Sequence, residues 1–121
     1  MHEIHFYKDP KGHEPVLEFI KELGSKKDKN SRINLNKIND YIEILSKYGT
    51  QIGEPHIKHL EGELWELRPQ RNRIFFVAWI DGSYVLLHHF VKKTQKTPKR
   101  EMDQAKRELA ILKARGENNE Q

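Results

Sequence analysis

The chain reads as a single α+β domain: an antiparallel sheet with helices packed mainly on one face, in the order β-α-α-β-β-β-α. Three observations predict this. Two stretches of the first half repeat apolar residues at the helical period. After residue 63 the apolar pattern becomes that of strands. A last helical stripe follows a basic connection near residue 92. With 121 residues there is material for one core, so residues 1–115 are expected to form one domain, with a polar tail over 116–121.

Taken in order, EIHFY (3–7) places Ile4 and Phe6 on one side of a short strand. DPKGHEP (9–15) holds two prolines and a glycine and reads as a loop. Val16, Phe19, Ile20 and Leu23 then recur at helical spacing, with Gly24 where a helix-ending glycine is expected. After KKDKN (26–30), Leu35, Ile38, Ile42 and Leu45 line a second helix, which Gly49 should end. A short link between two helices predicts an antiparallel pair.

In ELWELR (63–68), Trp65 and Leu67 alternate with Leu64, Glu66 and Arg68. PQRN (69–72) is a turn, and RIFFVAWI (73–80) is almost continuously apolar, as in a central strand covered on both faces. The Asp81-Gly82 pair marks a tight hairpin into YVLLHHFV (84–91). Thr97 and Pro98 suit the N-cap and first position of a helix whose stripe is Met102, Ala105, Leu109 and Leu112.

The net charge of +4 is unevenly placed. Residues 92–115 hold nine basic and three acidic residues, a net of +6, which leaves −2 for the remainder. Local positive charge of this kind suits a polyanionic partner: a nucleic acid, an anionic membrane surface or an acidic protein. No apolar run approaches the length of a membrane span, and MHEIHFYKD lacks the pattern of a secretory signal. No cysteine is present, so disulfides and thiolate metal sites are excluded. A cytoplasmic location without membrane association is expected.

Nucleotide-binding glycine loops, GxSxG and HExxH are all missing. His56 and His59 have HxxH spacing but lack a clear carboxylate or thiolate partner, so surface histidines are expected there and no metal or cofactor is called for. His88 and His89 must point to opposite faces of their strand, and one of them could serve in proton transfer.

The basic residues say more. Arg68 and Arg73 flank one short turn and should lie close together. Counting outward from Gly82 brings Lys92 or Lys93 opposite or diagonal to Arg73, with Lys96 and Arg100 at the rim. Solvated strand ends would account for such charges; their convergence without counterions is costly and points instead to a bound phosphate. With only Glu63 and Glu66 nearby, too few carboxylates to hold two metal ions, such a site could still cleave RNA. The 2′-OH attacks the adjacent phosphate while the protein aligns the chain, stabilises the phosphoryl oxygens and moves two protons.

The pieces L-x-G-x-L-W-E-L-R, R-I-F-F, V-L-L-H-x-F-x-K-K-T-Q-K-T-P and A-K-x-E-L, all within residues 60–109, resemble the RelE/HigB toxin family, in particular its phage-derived HigB-like branch. The N-terminal section resembles it in order and length. The resemblance implies a RelE-like fold and the toxin of a type II toxin–antitoxin system. Such toxins are ribosome-dependent endoribonucleases that cleave translated mRNA in the ribosomal A site without a metal. It also implies a cognate helix-turn-helix antitoxin, with operator DNA bound only through the toxin–antitoxin complex. Arg73 matches the arginine used at the scissile phosphate, Arg68 that of the E-L-R motif, and Lys93, with Lys92 as rival, the basic residue after the last strand. The tyrosine that often follows that strand is absent, which leaves His88 and Lys93 as candidates for proton transfer. Lys92, Lys96, Lys99 and Arg100 are expected to contact RNA. A ParE-like gyrase inhibitor and a non-catalytic nucleic-acid-binding module are the alternatives.

Overall fold

The computed structural model describes residues 1–119. The fold is α+β, with three helices and a five-stranded mixed sheet. The strands are β1 (Ile4–Phe6), β2 (Ile57–Glu61), β3 (Leu64–Leu67), β4 (Asn72–Ala78) and β5 (Tyr84–Val91), in the spatial order β1-β5-β4-β3-β2. β1 runs parallel to β5 and the other pairs are antiparallel. The expected order of elements stands, with one strand added: IKHLE, which has no clean alternation, pairs with β3 as the edge strand β2.

Helices α1 (Pro15–Ser25) and α2 (Lys29–Tyr48) form the hairpin. Pro15 opens α1, where its missing N–H costs nothing. The Asp28 side chain caps α2 by accepting from the Ser31 N–H at 3.0 Å, and the bonds from Ser31 hold its carboxyl below the usual range. Gly24 does not end α1: the helix continues to Ser25, and the cap falls on extended Lys26. Gly49 does end α2, with φ +66°, and a Cβ there would meet His2 and the Tyr84 hydroxyl at 2.8 Å. At the β4–β5 hairpin Asp81 and Gly82 both have positive φ, and the Ser83 N–H returns to the Ile80 carbonyl at 3.1 Å, the geometry their pairing predicts.

The sheet has a core on each face. Ile74, Phe76, Leu86 and Leu67 pack against Val16, Leu23, Ile38 and Leu45 of α1 and α2. Phe75, Val77, Leu87 and Phe90 pack against Ala105, with Met102, Leu109 and Leu112, on α3 (Lys99–Asn119). Two helices therefore share one face and the third covers the other, which explains why β4 is apolar almost throughout. α3 begins one residue later than expected. The Pro98 carbonyl accepts from the Glu101 and Met102 N–H groups, while the Thr97 hydroxyl turns to Glu66 instead of capping. The helix also runs past Gly116 to Asn119, where a polar tail was expected; residues 120–121 of that tail lie outside the described residues.

One irregularity decides what lies at the strand ends. β4 and β5 pair Ala78 with Tyr84 and Phe76 with Leu86, then Phe75 with His88, so Leu87 is a one-residue bulge. Beyond it Arg73 faces Phe90, and the Lys92 N–H reaches the Arg71 carbonyl at 2.8 Å. A one-residue slip exchanges the faces of a strand. The bulge thus puts Lys92, rather than Lys93, on the face of Arg71 and Arg73.

Candidate anion-binding site

The site lies on the α3 face, beyond the end of that helix's coverage, where β3, β4 and β5 leave their shared core. Register places Arg68 opposite Arg73 across β3 and β4, and Lys92 beside Arg71 across β4 and β5. Lys58 of β2 pairs with Glu66 and so joins the same face. A cavity of about 490 Å³ is lined by Arg71, Arg73, Lys92, Lys93, Thr94 and Gln95. Four of these six side chains are cationic and none is acidic.

Arg73 is 9 % exposed and rigidly held. Its Nη1 donates to the Gln70 carbonyl at 2.6 Å and the Asn72 carbonyl at 2.8 Å. Its Nε is buried without a hydrogen-bond partner. Arg73 nonetheless lines the cavity. Burial lowers the pKa of Arg73, the Glu66 carboxylate opposes that shift and Arg68 reinforces it. Lys92 is half-buried as a residue, and its pKa is likewise lowered, first by desolvation and then by Arg73. Lys93 is exposed and lines the same cavity from the other side of the strand end.

The convergence is not free of counterions, as the sequence had suggested. Glu66 is 1 % exposed and sits between the arginines, with its Oε1 3.5 Å from Arg68 Nε and 3.7 Å from Arg73 Nε. Its Oε2 accepts from the Thr97 hydroxyl at 3.3 Å, tying the basic connection to the sheet. Arg68 also reaches Glu54 at 3.4 Å. Alternation along ELWELR put Glu66 on the face of Arg68, but nothing in the pattern disclosed that this face is covered. Lys58 and Arg71 join this face without a signal in the sequence: IKHLE carries no clean strand alternation, and Arg71 stands in the turn PQRN.

The remaining expected residues lie elsewhere. Lys96, Lys99 and Arg100 do not line the cavity. Arg100 is largely exposed and pairs with Glu101 at 3.6 Å. His56 packs against Tyr41, while His59 packs against Trp65 and contacts the Gly62 carbonyl at 2.8 Å. His88 and His89 do take opposite faces. His89 stacks on Phe19 of α1 with 3.6 Å between ring centres, and burial pushes it down to about 4, so it is neutral at physiological pH. Its Nε2–H donates to the Asn72 side-chain oxygen at 2.9 Å.

His88 faces α3, stacked near Phe75 and Phe90, with Nε2 2.7 Å from Glu101 Oε1 and Nδ1 3.9 Å from Glu108 Oε1. Glu108 is pushed up to about 7 by burial, against the pull of Gln104 and Arg107 and with reinforcement from Asp9. A carboxyl raised in the folded state keeps its proton there after the unfolded chain has lost it. Stability attached to it is complete below the unfolded value near 4.5 and is lost as pH rises toward 7. Glu108→Gln should therefore raise the melting temperature at pH 8, by an amount corresponding to about 1–2 kcal/mol, and change it little at pH 4.5. Thermal scans at the two pH values check this; an equal shift at both would rule out titration as the cause.

The strand ends of this small α+β domain thus open a cationic cleft beside a buried Arg–Glu–Arg cluster, a geometry able to hold an anion. Residues 19–110 match the family described as "Phage derived protein Gp49-like (DUF891)", and the chain belongs to that family. The family is associated with toxins of toxin–antitoxin systems, and an antitoxin is the partner it suggests. Comparison with curated proteins gives no match. Among the described residues, no helix is long and apolar enough to cross a membrane.

Proposed function

We propose that the chain is a HigB-like toxin that cleaves mRNA on the ribosome and so arrests translation. The observation that carries this reading is the cationic cavity with Arg73 at its wall and no carboxylate among its lining residues. RNA supplies its own nucleophile. The 2′-oxygen attacks the adjacent phosphorus, the bond to the 5′-oxygen breaks, and a 2′,3′-cyclic phosphate and a 5′-hydroxyl result. The protein must hold the phosphate in line, offset the charge on its oxygens, take one proton and return one. Arg73 and Arg71 meet the phosphoryl oxygens, and Arg68 acts beside them. Lys92, whose ammonium is the more easily deprotonated for its burial and its neighbour Arg73, is the group for proton transfer. Lys93 stands in the same cavity as its rival. His88, turned toward Glu101 and Glu108, serves the packing of α3 in this reading. Lys96, Lys99 and Arg100 would guide the RNA backbone or a ribosomal RNA surface.

Mapping transcript 5′ ends after induced expression tests the proposal. New ends inside translated regions, in step with codons, are expected. Ends without codon periodicity would remove the ribosome from the reading. Intact transcripts with stalled replication would overturn it in favour of a ParE-like gyrase inhibitor.

A further inference from the structure

The turn that carries Arg71 has a second side. On the α1–α2 face of the sheet, a cavity of about 630 Å³ opens between the helical hairpin and the ends of β4 and β5. One wall is apolar: Phe19, Leu23 and Val91. Val91 is 45 % exposed although its strand neighbour Phe90 is buried. The rim carries the amides of Asn30 and Gln70. Arg71 lines this cavity and the cationic one alike, so the two meet at that residue.

The floor is rigid. Asn72 is 3 % exposed, gives its amide hydrogens to Asn34 at 2.9 Å and to the Pro69 carbonyl at 3.3 Å, and accepts from His89. His89 in turn backs the Phe19 ring. An apolar wall with the amides of Asn30 and Gln70 at its rim suits a ligand with apolar faces and a hydrogen-bonding edge. An aliphatic ligand would leave the amides unused, and a simple anion would not need the apolar wall.

We propose that this cavity receives a nucleobase of the RNA whose phosphate lies in the cationic cleft, with Arg71 bridging the two. The inference rests on the RNA reading of that cleft and adds a subsite for choosing among bases. Single-stranded RNA is read by splaying bases out against apolar or aromatic side chains and hydrogen-bonding their edges, which is what Phe19, Val91, Asn30 and Gln70 offer.

The test is a titration of the isotopically labelled full chain, followed by amide and side-chain NMR shifts, with inorganic phosphate and separately with each of the four nucleoside 3′-monophosphates. Phosphate should move Arg71, Arg73 and Lys92 only. At least one nucleotide should move these and also Phe19, Leu23, Asn30, Gln70 and Val91. The double variant Asn30→Ala/Gln70→Gly, which removes both amides and suits the positive φ at 70, should weaken that nucleotide about tenfold, the effect of losing two ordinary hydrogen bonds. Its affinity for phosphate should not change. Val91→Ser, at an exposed position and adding no charge beside Arg71, should do the same. Nucleotides that move only the phosphate set, or variants that bind them unchanged, would overturn the subsite. Phosphate that fails to move Arg71, Arg73 and Lys92 would instead overturn the cleft itself.

Discussion

Arg73→Ala is expected to abolish growth arrest on induced expression and to lower transcript cleavage by about 100- to 1,000-fold, the usual effect of removing one donor that meets developing charge. The geometry explains why this residue should matter more than its neighbours. Its Nη1 donors are spent on two backbone carbonyls and its Nε is buried beside Glu66, so the plane of the guanidinium is set before any ligand arrives. A donor held this way loses little freedom when it meets a phosphate. Arg73→Lys should recover little of the loss, because an ammonium bonded to both carbonyls keeps a single N–H and lacks the planar two-donor edge of a guanidinium. Arg73→Gln, of similar length, separates chemistry from folding: its thermal transition should stay cooperative while activity remains low. By comparison, Lys93→Ala should reduce cleavage less than Lys92→Ala, since the bulge at Leu87 puts Lys92 on the face of Arg73. Full toxicity in both Arg73→Ala and Lys92→Ala would remove the cationic cavity from the mechanism.

Much of this was legible in the amino-acid sequence, for reasons that can be named. The helices announce themselves through Val16, Phe19, Ile20 and Leu23 and through Leu35, Ile38, Ile42 and Leu45, because each has a single apolar stripe. The hairpin announces itself through Asp81-Gly82, and proximity of Arg68 to Arg73 follows from the short turn between them. What was hidden depends on partners distant in sequence. β1 joins β5 in parallel through residues some 80 positions away, and no local period encodes that choice. The Leu87 bulge leaves no mark in YVLLHHFV, an apolar run that tolerates either register, yet it decides which lysine accompanies Arg73. Glu66 looked like an outward residue of a half-buried strand. It is buried because the connection through Thr97 folds over it on the way to α3.

Glu66 carries the second large expectation. Glu66→Ala should lower stability by roughly 3 kcal/mol, the low end of the range for removing one partner from a buried charge pair. The low end applies because the Arg68 and Arg73 side chains keep 22 % and 11 % of their exposure. The variant leaves two guanidinium groups side by side without the carboxylate between them, and it also frees Thr97. Glu66→Gln is the sharper experiment. It preserves the volume and an oxygen for the Thr97 hydroxyl and removes only the charge. Two arginines deprived of their internal counterion should take an external one more strongly. Added inorganic phosphate should therefore raise the melting temperature of Glu66→Gln more than that of the unaltered protein. Cleavage should nonetheless fall at least about tenfold, because orientation of the reacting phosphate is lost even when its binding is not. Tighter phosphate binding together with weaker cleavage identifies Glu66 as a positioning residue that acts through Arg68 and Arg73. If phosphate stabilised the two proteins equally, the arginines would not be exchanging Glu66 for a ligand, and the carboxylate would be a structural brace alone.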